Sequence, residues 1–288
     1  MAIFGLIGYP LEHSFSPKYM NRLFRKKEMP HYYEAFPLRE EDVRVFMSYI
    51  NLFKIKGLNI TIPYKSVIIP YLDEVSEDVE IMNACNVIDV KDKRLIGHNT
   101  DWYGFSRALE IEKIDVKKKK VLIFGSGGAA KSIFYALSKN DVGSVVFVAR
   151  RPEVVIEIID TIGDRYPVRV KITKWDMKDE FINTVKEVVE DSDIIINTTP
   201  LGMYPHIDNM PPLPDIDLKG KVFFDVVYNP QITKFLQFAE KRDAKIVNGI
   251  GMLMYQGSKA LSIWLDRDFE KDVEEIFAEF KLIDRGIV

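Results

Sequence analysis

The feature that most constrains the fold of this chain is a glycine-rich turn between a short apolar run and a helical pattern. Residues 121–124 are Val-Leu-Ile-Phe, which is typical of a buried strand, and Gly125-Ser126-Gly127-Gly128-Ala129-Ala130 follows directly. Residues 129–139 then have the pattern of a helix. Strand and helix alternate in this way through most of the chain, so we predict an α/β fold.

The same turn has the chemistry of a phosphate site. Glycines let the backbone approach a ligand closely, and the start of a helix offers N–H groups and the positive end of its dipole. This context predicts that Gly125, Ser126, Gly127, Gly128, Ala129 and Ala130 bind the pyrophosphate of a dinucleotide. An ordinary glycine-rich turn between a strand and a helix is the alternative.

The next predicted strand, residues 144–149, indicates which dinucleotide is bound. NAD sites usually carry an acidic residue at the end of this strand, whereas here it is followed by Arg150 and Arg151. Guanidinium groups suit the 2′-phosphate of NADP, which the sequence therefore favours over NAD. Two arginines at a solvent-facing strand end are the alternative, and Glu153 leaves use of both cofactors open.

Length and pattern predict two domains. The chain has 288 residues, more than one domain usually contains. We expect an N-terminal α/β domain over residues 1–100 that binds substrate and carries the catalysis, and a doubly wound Rossmann domain for NADP over residues 101–250. Helices in residues 251–288 are expected to return to the first domain and complete it.

Composition excludes several classes of protein. The net charge of −3 argues against a nucleic-acid binder, and no apolar run is long enough to span a membrane. The N-terminus lacks the features of a secretion signal, so we expect a cytoplasmic protein. Cys85 is the single cysteine, and His13, His31, His98 and His206 show no metal-ligand spacing, so no metal is expected.

Two serines near the N-terminus are candidate ligands for a carboxylate. Ser14 and Ser16 are two positions apart, so their hydroxyls would point to the same side if the chain were extended there. The alternative is that Ser16 caps a helix that starts at Pro17.

The segment 57–65 predicts a strand that ends near a lysine. Its alternating pattern places Asn59 and Thr61 on one face, with Lys65 just beyond the strand end, where ligands bind in open α/β sheets. The other face would carry the apolar residues Leu58, Ile60 and Ile62. An exposed lysine without a chemical role is the alternative.

Taken together and in this order, the motifs resemble those of the shikimate dehydrogenase family over nearly the whole chain. Besides the glycine-rich turn, the matching motifs are Ser14-Phe15-Ser16, Asn59 through Lys65, Ala84-Cys85-Asn86, Asn99-Thr100-Asp101, Asn197-Thr198-Thr199-Pro200-Leu201-Gly202-Met203, Asp225-Val226-Val227-Tyr228-Asn229-Pro230, and Asn248-Gly249-Ile250-Gly251-Met252 leading to Gln256. The resemblance implies NADPH-dependent, reversible reduction of 3-dehydroshikimate to shikimate, a step toward chorismate and the aromatic amino acids.

The resemblance also implies a role for individual residues. Lys65 and Asp101 would be the catalytic pair, although Asp101 could instead cap a helix from Trp102. The substrate carboxylate and ring hydroxyls would be bound by Ser14, Ser16, Asn59, Thr61, Asn86, Asp101, Tyr228 and Gln256. The cofactor would be lined by residues 125–130, Arg150, Arg151, Val226, Gly249 and Glu77, of which Glu77 also fits a solvated helix face.

One departure from the family keeps related functions open. The family commonly has Asn where this chain has Ala149, before Arg150 and Arg151, which removes one polar contact to the 2′-phosphate. A quinate/shikimate dehydrogenase that uses NAD or both cofactors is therefore an alternative, as is a ligand sensor without catalysis on the same fold. A methylenetetrahydrofolate dehydrogenase is disfavoured by Ser14 and Ser16. We expect a monomer or homodimer that binds a small-molecule substrate, with no membrane or nucleic-acid partner.

Overall fold

The computed structural model describes residues 1–12, 14–176 and 181–283, with side chains described up to residue 280. It divides into two compact units: the first unit comprises Met1–Gly104 and the chain from Met254 onward, and the second unit is Phe105–Leu253.

The helices and strands alternate along the chain. As far as Gly104 they are β1 (Ala2–Gly8), α1 (Ser16–Lys26), β2 (His31–Pro37), α2 (Glu40–Tyr49), β3 (Ile55–Ile60), a 3-10 turn (Ile69–Tyr71), β4 (Glu74–Val75), α3 (Glu77–Met82), β5 (Val87–Lys91), β6 (Arg94–His98) and the start of α4 (Asp101–Ile111). They continue with β7 (Lys120–Phe124), α5 (Gly128–Lys139), β8 (Ser144–Ala149), α6 (Pro152–Gly163), β9 (Arg169–Lys174), α7 (Phe181–Asp191), β10 (Ile194–Asn197), β11 (Val222–Asp225), α8 (Lys234–Glu240), β12 (Lys245–Val247), α9 (Ile250–Leu265) and α10 (Glu270–Ile283).

The first unit is built on a mixed sheet in the order β2-β1-β3-β5-β6-β4. β1 pairs in parallel with β2 and β3, whereas β5 runs antiparallel to its neighbours β3 and β6. The start of β5 therefore lies beside the ends of β3 and β6: Val87 is in register with Asn59 on one side and with His98 on the other. The chain segments that leave β3 and β6 and the segment that enters β5 therefore meet at the same end of these three strands.

Amphipathic helices cover this sheet. Helix α1 has Pro17 in its first turn, where the missing N–H costs no hydrogen bond, and it buries Tyr19, Met20, Leu23 and Phe24 on one face. A core of β-branched and aliphatic side chains lies on the other side of the strands and includes Ile7, Ile55, Leu58, Ile60 and Ile88.

The second unit is a doubly wound parallel sheet in the order β12-β11-β10-β7-β8-β9. Counted from β7, this is the strand order 3-2-1-4-5-6 of the Rossmann fold, and the order reverses between β7 and β10. Ligands of such sheets bind outside the carboxyl ends of the strands at this switch point. The predicted fold class, with a Rossmann unit and C-terminal helices that return to the first unit, is confirmed.

Two local expectations about the backbone are wrong. Phe15 has a helical conformation, with φ −82° and ψ −17°, so the chain from Ser14 to Ser16 is not extended. The predicted strand over residues 57–62 ends at Ile60, and the side chain of Ile62 is 60% exposed instead of packing against the sheet. Pro17 favours a helix start, and α1 accordingly begins at Ser16. Pro63 has no N–H to donate to a neighbouring strand, so it does not continue β3.

Candidate active site

The centre of the site is an ion pair between two residues that are distant in sequence. The Lys65 Nζ and Asp101 Oδ2 atoms are 2.5 Å apart, and the two side chains are only 17% and 8% exposed. Lys65 lies in the turn that follows β3, and Asp101 is the first residue of α4, just after β6. They come together because β3 and β6 end at the same end of the sheet, on either side of the start of β5.

Asn86, directly before β5, connects this pair to other polar groups. Its Nδ2 donates to Asp101 Oδ1 and to Thr100 Oγ1 at 3.0 Å, and to Gln256 Oε1 at 3.2 Å. Its Oδ1 accepts from the backbone N–H of Thr100 at 2.7 Å. Asn86, Thr100, Asp101 and Gln256 are all buried. Buried polar groups that satisfy one another in this way hold their side chains in fixed orientations.

Asn59, on the neighbouring strand β3, extends the network. Its Nδ2 donates to the backbone oxygen of Asn86 at 3.4 Å, and its Oδ1 accepts from the hydroxyl of Tyr33 at 2.7 Å. Thr61 follows it and is partly buried; its backbone N–H donates to Ile7 O. The structure therefore joins five predicted site residues, Lys65, Asp101, Asn86, Asn59 and Gln256, in one network.

The sequence analysis did not assign two members of this network. Thr100 precedes the predicted catalytic aspartate, and its polar side chain in the Asn99-Thr100-Asp101 motif was the available signal. Tyr33 lies in an alternating strand pattern that predicts only a core aromatic residue.

The structure shows neither Asp101 as a cap of α4 nor Lys65 as an exposed lysine, the two alternatives to a catalytic pair. Both carboxylate oxygens of Asp101 accept hydrogen bonds from side chains, those of Lys65 and Asn86. The N–H at the start of α4, that of Asp101, instead donates to the side chain of Asn99, at Oδ1, over 3.0 Å. Lys65 is not an exposed surface lysine, because its ammonium is held against a buried carboxylate.

Ser14 and Ser16 lie before and at the start of α1. The N-cap residue is Phe15, and it makes no side-chain cap hydrogen bond, so the alternative in which Ser16 acts as the N-cap is not observed. Ser16 is buried and Ser14 is partly buried. Binding of a carboxylate by these two hydroxyls stays a prediction.

In the second unit, the glycine-rich turn lies at the switch point. Gly125 has φ +111°, a conformation that favours glycine, and a Cβ there would be 2.5 Å from Thr198 Oγ1 at the end of β10. Gly127 is the N-cap of α5 and makes no side-chain cap bond, and a Cβ built on it would meet nothing within 4 Å. Open space beside an uncapped helix start fits a pyrophosphate group.

The two arginines lie next to this turn. Gly125 N donates to Val148 O near the end of β8, and Arg150 follows that strand directly. Arg151 is the N-cap residue of α6, and both arginine side chains are exposed. Their position beside the turn is the one from which a side chain reaches the adenosine ribose in Rossmann domains.

Val226 and Gly249 are in contact within the second unit. A Cβ on Gly249 would lie 2.1 Å from Val226 O, and Gly249 N donates to Val227 O at 3.2 Å. Tyr228, two residues after Val226, is partly buried. Only glycine fits at position 249 against this loop.

A buried carboxylate that the sequence analysis did not assign supports this loop. Asp225 Oδ1 accepts from Val227 N and from Asn197 Nδ2, each at 3.0 Å, and Oδ2 accepts from Thr233 Oγ1 at 2.6 Å. Burial raises the pKa of Asp225 to about 7, although these hydrogen bonds act in the opposite direction. Asp225 thereby connects the loops that follow β10 and β11 to the N-cap of α8.

Glu77 begins α3 in the first unit and is exposed, and its contact with a cofactor stays a prediction.

Burial lowers the pKa of His31 and His98, His206 is exposed, and His13 lies outside the described residues. No group of residues suited to a metal ion is found in the part of the chain that the structure describes. Within the same part, no helix combines the length and the apolar character needed to cross a membrane.

One unit is a Rossmann fold with a glycine-rich turn at its switch point, and the other holds an ion pair between Lys65 and the buried Asp101. These features define the class of two-unit dinucleotide-binding α/β proteins. Within this class, residues 6–88 match the model of the shikimate dehydrogenase substrate binding domain. The chain belongs to the shikimate dehydrogenase family, as the sequence motifs predicted.

Individual relatives cover almost the entire chain. The shikimate dehydrogenase (NADP(+)) of Methanocaldococcus jannaschii is 38% identical over 267 residues, which are 91% of this chain and 90% of the relative. A crystal structure of a shikimate dehydrogenase in complex with NADP+ has a TM-score of 0.85 and 34% identity, covering 97% of this chain and 96% of that one. A shikimate 5-dehydrogenase from Listeria monocytogenes, in complex with shikimate and NAD, has a TM-score of 0.84 and 29% identity, covering 96% of both chains.

Proposed function

We propose that this protein is an NADP-dependent shikimate dehydrogenase, which catalyses the reversible reduction of 3-dehydroshikimate to shikimate. The observation that carries the proposal is the ion pair of Lys65 and Asp101 within a buried network of amide groups. The family and its named relatives support the substrate and the cofactor.

The network suits a ring with several hydroxyl groups. A hydroxyl is both donor and acceptor, and the residues of the network supply both kinds of partner: amides in Asn59, Asn86 and Gln256 and a carboxylate in Asp101. A site built to hydrogen-bond hydroxyls discriminates strongly against analogues that lack them. Ser14 and Ser16 are the proposed ligands of the substrate carboxylate.

Lys65 is the proposed proton donor. Reduction of the ketone places negative charge on its oxygen, and the ammonium of Lys65 can stabilise that charge and give it a proton. In the direction of oxidation, the neutral amine takes a proton from the substrate hydroxyl. Asp101 holds Lys65 in position and accepts a hydrogen bond from a second substrate hydroxyl. When bound, NADPH supplies the hydride, and NADP+ takes it back in the reverse direction.

Residues of the second unit are the proposed binding site for NADP. The pyrophosphate would lie at the start of α5, against residues 125–130, where the open space beside Gly127 fits it. Arg150 and Arg151 would bind the 2′-phosphate. Val226 and Gly249 would line the cofactor from the neighbouring loops, Tyr228 would contact the substrate, and Glu77 of the first unit is a further proposed cofactor contact.

The proposed domains are residues 1–100, completed by 251–288, for substrate binding and residues 101–250 for NADP. The cytoplasm is the proposed location, and we propose a monomer or homodimer that needs neither membrane nor nucleic acid.

The test is a comparison of steady-state rates on shikimate and quinate, each with NADP+ and NAD+, followed at the absorbance of the reduced nicotinamide. We expect shikimate with NADP+ to give by far the highest kcat/KM. Comparable rates on quinate with NAD+ would support the quinate/shikimate alternative. Binding of shikimate without turnover in any combination would indicate a sensor and contradict the proposed function.

A further inference from the structure

Tyr33 is a buried tyrosine at the margin of the proposed substrate site. Its side chain is 1% exposed, and its hydroxyl donates to Asn59 Oδ1 at 2.7 Å. The two residues lie on β2 and β3, on either side of β1, where Phe4 is in register with Tyr33 and Leu6 with Asn59. The phenol therefore reaches across the middle strand to one particular amide.

This contact and one to Asn86 together set the orientation of the Asn59 carboxamide. With Oδ1 directed at the hydroxyl of Tyr33, Nδ2 is directed at the backbone oxygen of Asn86. The flipped amide would place two acceptor oxygens, Asn59 Oδ1 and Asn86 O, against each other, which is repulsive. The Asn86 oxygen is fixed because it also accepts from Ile60 N at 2.8 Å. The oxygen of Asn86 only accepts and so selects this orientation, and the hydroxyl of Tyr33 adds a second hydrogen bond that holds the amide in it.

The orientation matters for ligand recognition. An amide nitrogen carries two hydrogens, and one of them is directed at Asn86 O. The other has no acceptor among the described residues, so it is the donor that Asn59 can offer to a ligand, whereas the flipped amide would offer an acceptor. A hydroxyl that accepts from Asn59 keeps its own hydrogen for an acceptor such as the carboxylate of Asp101. The amide and the carboxylate therefore suit the two hydrogen-bonding functions of a ring hydroxyl, acceptor and donor.

We propose that Tyr33 is a positioning residue of the substrate site, whose hydroxyl fixes the Asn59 carboxamide so that it presents an N–H donor to a substrate hydroxyl. The proposal rests on the proposed function for the identity of the substrate. Tyr33 acts through Asn59 and not on the substrate itself.

The chain offers a clean variant and a matched control. Tyr33→Phe removes the hydroxyl and keeps the ring, which packs beside Trp264 at a centroid distance of 6.5 Å. Tyr64→Phe is the control, because Tyr64 is equally buried in the first unit and its hydroxyl donates to a backbone oxygen, Leu38 O, at 2.7 Å. The two variants lose equivalent hydrogen bonds, but only one of these bonds orients a site residue.

The first arm of the test is kinetic. Loss of one neutral hydrogen bond is expected to raise the KM for shikimate roughly 3- to 10-fold in Tyr33→Phe, with kcat and the KM for NADP+ changed less than about twofold. Tyr64→Phe should keep the wild-type KM for shikimate. In an Asn59→Ala background, Tyr33→Phe should have no further effect on that KM, because the residue through which it acts is gone. An unchanged KM in Tyr33→Phe, or an equal increase in the Asn59→Ala background, would overturn the proposal.

The second arm does not depend on turnover. The side-chain amide signals of Asn59, observed by NMR in the ¹⁵N-labelled full-length chain without ligand, should shift in Tyr33→Phe and stay in place in Tyr64→Phe. If shikimate is not turned over but these signals shift, the proposed function fails and the orientation of Asn59 by Tyr33 stands. If the signals do not shift, the positioning role is refuted whatever the substrate is.

Discussion

Replacing Lys65 by Met is the most informative perturbation of this protein. Methionine keeps most of the length of the side chain and removes the ammonium that lies 2.5 Å from Asp101 Oδ2. General acid–base catalysis typically contributes about 10²- to 10⁴-fold, so turnover of shikimate should fall by that factor, about 3 to 5 kcal/mol in activation free energy. The affinity for NADP+ should be unchanged, because the glycine-rich turn and the two arginines belong to the second unit.

The same variant should also lose stability. Breaking a fully buried ion pair costs about 3 to 5 kcal/mol, and because Lys65 is partly solvated we expect about 1 to 3 kcal/mol. Asp101→Asn in the Lys65→Met background removes the carboxylate that has lost its partner. The double variant should therefore regain stability to within about 1 kcal/mol of wild type.

Activity should not return with stability. The two residues act as a unit, so the double variant should turn over shikimate as slowly as Lys65→Met alone. Initial rates with saturating shikimate and NADP+ measure the first quantity, and urea unfolding measures the second. The reasoning would be refuted by turnover of Lys65→Met within tenfold of wild type, or by a double variant in which stability and activity recover together.

Three further predictions concern the second unit. Replacing Arg150 and Arg151 by Ala should raise the KM for NADP+ at least tenfold and leave the KM for NAD+ nearly unchanged; an equal effect on both cofactors would contradict a 2′-phosphate contact. Because the pKa of Asp225 is raised from 3.8 to about 7, its contribution to stability is complete below about pH 4 and is lost as the pH rises through about 7. Asp225→Asn does not titrate there, so between pH 4 and 8 the free energy of unfolding of wild type should fall relative to that of the variant by up to about 4 kcal/mol, measured by urea unfolding. A difference that stays constant with pH would argue against a titrating Asp225. Gly249→Ala should abolish NADP+ binding or prevent folding, because its Cβ would meet Val226 O at 2.1 Å, and a calorimetric titration that matches wild type would refute this.

The sequence predicts most of the strands and helices because apolar periodicity is strong in both sheets. The Rossmann unit is the clearest case: its central strands are buried on both faces and appear as continuous apolar runs, such as the one ending at Phe124. Short elements without such runs are harder to assign. The strand Glu74–Val75 has two residues and lies where the sequence fitted a helix face, whereas Glu77, which belonged to the same helix face, does begin a helix, of six residues.

The candidate site was predictable where residue type alone indicates chemistry. Lys65 and Asp101 carry charge, and their motifs single them out, but that they meet depends on the antiparallel insertion of β5, which no local pattern reveals. Tyr33 and Asp225 act through hydrogen bonds to groups far away in sequence. Their roles follow from three-dimensional contacts and have no counterpart in the spacing of residues along the chain.

The first unit is discontinuous, and this affects how the protein is made. Trp264 stacks on Phe4, its indole N–H donates to Ile88 O, and it occupies the space above Gly57 that a side chain would need. Gln256 arrives with the same helix. On the ribosome, the whole second unit is synthesised before Trp264 and Gln256, so the first hundred residues complete their fold only afterwards. In the meantime their apolar surface is open to chaperones or to misassociation.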